Sequence, residues 1–144
     1  YIGNEKLIPY SPLIRSKTIC ENKNIKILIV EDIIYNANLF INMLETFGFK
    51  NSTLASNGKI ALEKINNAIL LNDPYKIMLL DLKMPEMNGY ELIEQLQKTL
   101  INNIHIVVIT ASIMESDVEK CKNIGINYFL TKPIQINQLK QIFI

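Results

Sequence analysis

Short apolar runs alternate along this chain with longer segments in which apolar residues recur at a helical spacing. Strand-like runs cover residues 25–30, 51–55, 77–80, 104–109 and 127–130. Helical periodicity covers residues 35–47, 60–69, 90–100, 115–124 and 136 to the end. Gly48 and Gly125 follow the first and fourth helical segments, where a helix commonly stops. The run at 77–80 is apolar without interruption, which predicts a strand buried on both faces of a sheet.

The alternation of strand and helix, repeated five times, predicts the fold class. It is typical of an α/β domain with a five-stranded parallel sheet, helices on both faces and right-handed crossovers. Residues 1–24 show no sustained periodicity and include Pro9 and Pro12, so they predict a linker or an arm laid on the domain surface. The predicted domain therefore occupies residues 25–144.

Composition argues against several classes of function. The 144 residues carry a formal net charge of +1, so no nucleic-acid or membrane contact is expected in this domain. Cys20 and Cys121 form no motif with each other or with His105, which argues against a zinc site or disulfide framework and for a reducing, cytoplasmic setting. No apolar run reaches membrane-spanning length. The chain begins at Tyr1, so we expect a piece of a longer protein, whose own membrane attachment stays open.

Polar side chains stand where four of the five predicted strands end. They are Glu31 and Asp32, Asp81, Thr110, and Lys132. As single residues they could be helix caps, a turn carboxylate, a strand hydroxyl and a solvated charge. In a parallel sheet, however, the carboxyl ends of the strands share one edge, so these side chains can converge. Three carboxylates without His or Cys nearby favour Mg²⁺, and the lysine and threonine suit the oxygens of a phosphoryl group.

The order and spacing of these residues carry a resemblance to a known family. The matching segments are Val30-Glu31-Asp32, Leu80-Asp81, Met84-Pro85-Glu86-Met87-Asn88-Gly89, Thr110-Ala111 and Lys132-Pro133. Over about residues 25–144 the chain resembles the receiver domain of two-component response regulators, most closely the receivers attached to hybrid histidine kinases. The resemblance implies a flavodoxin-like, doubly wound (βα)5 fold with strand order 2-1-3-4-5. Asn88 departs from the commoner Asp, and Ile33 and Ile34 replace the usual polar residue or proline.

The same resemblance implies a role for each residue that touches the metal or the phosphoryl group. Asp81 is the expected phosphoacceptor, and Mg²⁺ is the expected cofactor. Asp32 and Asp81 are expected to bind the ion directly, Glu31 through a water molecule, and Lys83 through its backbone carbonyl. Lys132 is expected to pair with the transferred phosphoryl group.

A conformational switch is implied in the same way. Thr110 is expected to hydrogen-bond the phosphoryl group, and Phe129 to follow it inward as the second switch residue. The Lys132–Pro133 peptide bond is expected to be cis, which suits a proline in a tight turn. The domain would then catalyse its own phosphorylation without being a turnover enzyme.

Residues around the acceptor are expected to set the lifetime and the partner. The resemblance implies that Lys83 and Ser112 flank the path of the hydrolytic water, and the long, charged lysine is expected to slow the loss of phosphate. Ile33, Ile34 and Ile134 are expected to form an apolar rim around the charged cleft. The expected partner is a histidine kinase or a histidine phosphotransfer protein.

Two other functions use similar residues. An aspartyl-phosphate phosphohydrolase typically carries a second Asp two residues after its nucleophile, where this chain has Lys83, and its paired acids follow the nucleophile instead of preceding it. A receiver-like module that only binds partners would not need the complete set of reactive residues. We therefore expect a phosphorelay receiver that takes a phosphoryl group from a phosphohistidine donor onto Asp81, with a parent chain of the hybrid histidine kinase kind.

Overall fold

The structure is a computed structural model, and it describes residues 23–82, 84, 87–99, 104–111, 114–126 and 128–143. The strands are β1 (Lys26–Val30), β2 (Ser52–Ala55), β3 (Tyr75–Asp81), β4 (His105–Thr110) and β5 (Tyr128–Thr131). The helices are α1 (Ile34–Thr46), α2 (Gly58–Leu70), α3 (Gly89–Lys98), α4 (Glu115–Asn123) and α5 (Ile136–Phe143). The predicted linker or arm at residues 1–24 lies almost entirely outside the described residues.

The strands form one parallel sheet in the order β2-β1-β3-β4-β5, which confirms the predicted doubly wound fold. Side chains on one face pack with α1 and α5, and those on the other face pack with α2, α3 and α4. Along β3, Ile77 and Leu79 enter the first layer, while Met78 and Leu80 enter the second. Burial on both sides explains the uninterrupted apolar run, and each such side chain contributes roughly 2 kcal/mol through its removal from water.

β3 begins two residues earlier than the apolar run indicated, at Tyr75 instead of Ile77. Tyr75 is buried and pairs across the sheet with Lys26, whose ammonium lies 4.5 Å from the centre of the tyrosine ring. The exposed Lys76 interrupts the apolar pattern, because it is the outward residue of an alternating strand end. Because the exposed Lys76 separates Tyr75 from the apolar run, the pattern placed the start of β3 two residues too late.

Helix ends follow from local sequence. Asn57 caps α2, with its side-chain oxygen accepting from the amide of Ile60 at 2.8 Å. Asn88 and Glu91 form a reciprocal capping box at the start of α3. Asparagine and aspartate cap helices about equally well, so the departure at position 88 leaves this helix start intact. Within the described residues, no helix is long and apolar enough to cross a membrane.

Candidate functional site

The three predicted acidic residues meet at the carboxyl edge of the sheet. Asp81 ends the central strand β3, and Glu31 and Asp32 directly follow the neighbouring strand β1. One carboxylate oxygen from each lies within 4.8 Å of the others. Glu31 and Asp81 are buried, with 3% and 6% of their surface exposed, whereas Asp32 is exposed. The cluster is therefore buried on one side and open to solvent at Asp32.

Lys132 bridges two of these acids. Its Nζ lies 2.8 Å from Glu31 Oε1 and donates to Asp81 Oδ2 at 2.9 Å. The lysine backbone is held as well, because its amide donates to the carbonyl of Thr110 at 2.8 Å. The peptide bond between Lys132 and Pro133 is cis. The turn after β5 thus carries the lysine to the acids that follow β1 and end β3.

Glu31 is oriented by its own turn and by its neighbours. Its amide donates to the carbonyl of Ala55 at 3.0 Å, and its Oε2 accepts from the amide of Ile33 at 3.3 Å. The other carboxylate oxygen faces Lys132. Sequence reasoning assigned Glu31 only a water-mediated contact with a metal and missed this ion pair. The sequence pattern predicts that these strand-end residues converge, but it does not show which of them pair, because that depends on the order of the strands.

Burial and pairing act against each other on the ionisation of this cluster. Burial raises the pKa of Glu31 above its ordinary value, and Lys132 only partly opposes that effect. Burial lowers the pKa of Lys132, but the hydrogen bonds and charges of Glu31 and Asp81 outweigh it, so the lysine pKa lies above its usual value. Lys132 therefore remains an ammonium at neutral pH.

The donor set suits a hard divalent cation. All three acidic residues offer oxygen atoms, the ligands that Mg²⁺ prefers. Among the described residues of the cluster, the three carboxylates and the Lys132 ammonium give a formal charge of −2, which a divalent ion would balance. The exposed Asp32 would leave such an ion accessible to solvent and to a substrate. Lys83, the expected carbonyl ligand, and Ser112, the second expected lifetime residue, lie outside the described residues.

The expected switch residues lie on one side of the sheet. Thr110 ends β4 and is 1% exposed, and Phe129 in β5 is 3% exposed. Phe129 pairs with Val108, and both pack in the layer formed with α2, α3 and α4. Thr110 is two residues beyond Val108, so its side chain faces the same layer. The hydroxyl at the site edge and the aromatic ring in the core therefore belong to the same face.

Apolar side chains are exposed beside the acidic cluster. Ile33 and Ile34 are 51% and 64% exposed, as expected of a rim. Ile134 is 7% exposed, so its predicted place on the rim is wrong: it packs into the core layer shared with α1 and α5. The exposed surface instead continues along α1 through Tyr35 and Leu39. Their spacing could have shown this, because they fall between the inward-facing positions of the helix.

Comparison with known proteins identifies the family. The sequence matches the model of the response regulator receiver domain over residues 27–144. The chain belongs to this family. It is 32% identical over 119 residues to the osmosensing histidine protein kinase SLN1 of Saccharomyces cerevisiae, covering 83% of this chain and 10% of that protein. It is 31% identical over 121 residues to hybrid signal transduction histidine kinase L of Dictyostelium discoideum, covering 81% of this chain and 7% of that protein.

Solved structures agree with the family assignment. A receiver domain protein described as CheY-like, from Methanospirillum hungatei JF-1, matches with a TM-score of 0.71 and 25% identity, over 82% of this chain and 89% of that one. The chain therefore has the receiver fold and spans about a tenth or less of the two kinases it matches. Receiver domains generally bind Mg²⁺, and the cluster of Glu31, Asp32 and Asp81 could hold it. Receivers in hybrid kinases interact with histidine kinase or phosphotransfer partners.

Proposed function

We propose that this receiver domain takes a phosphoryl group onto Asp81 from a phosphohistidine of a histidine kinase or a histidine phosphotransfer protein. The observation that carries the proposal is the position of Asp81. Its carboxylate is buried at the end of the central strand, bonded to the Lys132 ammonium and within 4.8 Å of two further acidic residues. A carboxylate in these surroundings is a nucleophile surrounded by the groups that phosphoryl transfer requires.

The proposed step uses each residue of the cluster. An oxygen of Asp81 attacks phosphorus, the P–N bond to the donor histidine breaks, and the electron pair stays on the imidazole. Lys132 already contacts Asp81 and would hold the transferring oxygens, with the Thr110 hydroxyl as a further donor. Asp32 and Asp81 would bind Mg²⁺ directly, Glu31 through water and Lys83 through its carbonyl. The ion would offset the charge that gathers on the oxygens during transfer.

The output would be a shift between two conformations. Phosphorylation gives Thr110 a new hydrogen-bond acceptor, and Phe129 would move inward behind it. Phe129 packs in the layer formed with α2, α3 and α4, and Thr110 ends the neighbouring strand β4. Their movement would be passed to the surface formed by α4, β5 and α5.

The partner would dock on the exposed apolar surface beside the cluster. Ile33, Ile34, Tyr35 and Leu39 all expose more than a third of their surface, next to the acidic Asp32. An apolar patch bordering a charged cleft suits a transient complex that must release after transfer. Replacing Ile34 by serine should weaken transfer from a phosphohistidine protein while leaving labelling by a small donor unchanged. Equal loss with both donors would argue against docking here.

Two proposals concern the setting and the lifetime of the phosphorylated state. We place the domain in the cytoplasm as part of a larger chain of the hybrid histidine kinase kind. Lys83 and Ser112 would set how readily water reaches the phosphoryl group, with the lysine slowing its loss. A Lys83→Ala chain that keeps its phosphate as long as the wild type would remove the lifetime proposal.

Labelling of the purified chain by an acyl phosphate tests the proposed function. With Mg²⁺ present, intact-mass measurement should show one persistent phosphoryl group, and Asp81→Asn should abolish it because an amide is neither charged nor nucleophilic. Continuous release of phosphate without an adduct would indicate a phosphohydrolase instead. Absence of both would indicate a module that only binds partners, and retained labelling of Asp81→Asn would place the acceptor elsewhere.

A further inference from the structure

The loop between β3 and α3 makes an unusually close contact with the start of α2. The amide of Gly58 donates to the carbonyl of Met87 at 3.0 Å. A Cβ added to Gly58 would stand 2.2 Å from that carbonyl oxygen and 2.9 Å from Cγ of Met87. Both distances are below van der Waals contact, so only glycine permits this approach. Gly58 is buried and directly follows Asn57, whose side chain caps α2 and fixes the start of the helix.

Met87 is held in a conformation that a methionine does not favour. Met87 has φ = +50°, a left-handed conformation that is unfavourable for a non-glycine residue. In that conformation the Met87 carbonyl accepts the hydrogen bond from the Gly58 amide. The contact with Gly58 thus stabilises the left-handed conformation of Met87.

Two residues after Met87, the start of α3 packs closely against the end of β3. The amide of Gly89 donates to the carbonyl of Leu82 at 3.0 Å. A Cβ at Gly89 would stand 2.8 Å from the backbone oxygen of Asp81. A displacement of Met87, two residues before Gly89, would therefore be passed to the backbone of Asp81 through this tight closure.

We infer that Gly58 is a positioning residue for the acidic cluster: its contact with Met87 holds the loop that sets the backbone of Asp81. The inference rests on the proposed function, because the acceptor and the cation site are those proposed above. Gly58 itself supplies no carboxylate, lies on another segment of the chain and acts only through the loop. Its effect should therefore appear in the affinity for Mg²⁺ and in the rate of labelling.

The test is Gly58→Ala in the full chain. In an ordinary helix this change raises stability, whereas here the added methyl group must displace the Met87 carbonyl. We expect about 10-fold weaker Mg²⁺ binding by calorimetry, the lower end of the effect seen when outer-shell support of a metal site is removed. Labelling by an acyl phosphate should slow in parallel. Binding is measured well below the thermal midpoint, so that every variant is fully folded.

Gly125→Ala is the matched control. Gly125 has φ = +91° and no atom within 4 Å of an added Cβ, so alanine there strains the fold away from the loop. It should lower the thermal midpoint and leave Mg²⁺ affinity unchanged. Unchanged affinity in Gly58→Ala, or an equal loss in both alanine variants, would overturn the inference.

Two further measurements keep the outcome interpretable. If Gly58→Ala does not fold, the change is made in a Met87→Gly background, where the freed backbone can move away from the new methyl group. Weaker Mg²⁺ binding than in Met87→Gly alone is expected, and equal binding would overturn the inference. Labelling of the wild type distinguishes failure of the proposed function from failure of the inference about Gly58. An unlabelled wild type contradicts the proposed function, whereas equal labelling of wild type and Gly58→Ala contradicts only the role of Gly58.

Discussion

Two lysine ion pairs lie at opposite edges of the same sheet. At the amino edge, Lys26 Nζ is 3.5 Å from Asp73 Oδ2, and at the carboxyl edge Lys132 contacts Glu31 and Asp81 at 2.8 and 2.9 Å. The lysines are almost equally covered, with side chains 18% and 19% exposed. Their partners differ: the Asp73 side chain is 69% exposed, whereas those of Glu31 and Asp81 are 1% and 7% exposed.

The two lysines are almost equally covered, so the difference between the surface pair and the buried cluster lies in the burial of the carboxylates. Water solvates Asp73 whether or not Lys26 is present, so that pair contributes little to stability. Glu31 and Asp81 have lost most of their solvation and depend on Lys132 for compensation. Charges held together in this way are typical of functional sites.

The largest effect is expected from replacing Lys132 by methionine, which removes the charge but keeps most of the side-chain volume. Two buried carboxylates would lose their shared donor, so the free energy of unfolding in metal-free buffer should fall by about 2 kcal/mol. Labelling by an acyl phosphate should slow strongly. Lys26→Met is the matched control and should cost less than about 1 kcal/mol. Equal losses in urea titrations of the two variants would contradict the comparison.

Asp32→Ala tests the open side of the cluster. Loss of an exposed carboxylate should weaken Mg²⁺ binding about 10-fold or more and slow labelling, because a proposed direct ligand is gone. Repulsion among the three acids is relieved at the same time, so the thermal midpoint without metal should be unchanged or higher. Calorimetric titration and thermal unfolding measure the two effects separately. A marked loss of stability would instead make Asp32 a structural acid.

Glu31→Gln tests the effect of burial on ionisation. Burial raises the pKa of Glu31, so the folded state binds this proton more tightly than the unfolded state does. The corresponding stability is present below the unfolded pKa of about 4.3 and is lost as pH rises through the raised value. The thermal midpoint of the metal-free wild type should therefore fall relative to Glu31→Gln as pH rises from there toward neutral. A constant difference between the two chains would contradict the raised pKa.

The smallest effect is expected at the amino edge. Asp73→Asn removes the partner of Lys26, which keeps its contact with the ring of Tyr75. The free energy of unfolding should change by less than about 1 kcal/mol, since the carboxylate is mostly solvated. Mg²⁺ affinity should not change. A larger loss of stability, or any loss of Mg²⁺ binding, would mean that the two edges are coupled.

Much of the fold was predictable because local patterns and burial agree. The apolar run in β3 is uninterrupted because that strand is covered on both faces, and Gly48 and Gly125 follow α1 and α4 with positive φ, as helix-stopping glycines do. The convergence of Asp81, Thr110 and Lys132 was also predictable, since parallel strands place their carboxyl ends on one edge. These features depend only on the order of elements along the chain.

Contacts between elements were decided by the tertiary structure alone. The Tyr90 hydroxyl donates to Asp117 and the Lys120 ammonium lies 4.6 Å from the Tyr90 ring, which joins α3 to α4. Ile134 is buried because α5 returns against the sheet. From the sequence alone, this residue was instead expected on the apolar rim of the cleft.

The amino-acid sequence by itself determined the βα order and the set of polar residues at the strand ends, because periodicity and chain direction are local properties. Only the tertiary structure decided that Lys132 is bound to Glu31 as well as Asp81, and that Gly58 meets Met87. Such pairings depend on which surfaces face each other after packing. Residues far apart in sequence carry no local signal of that encounter.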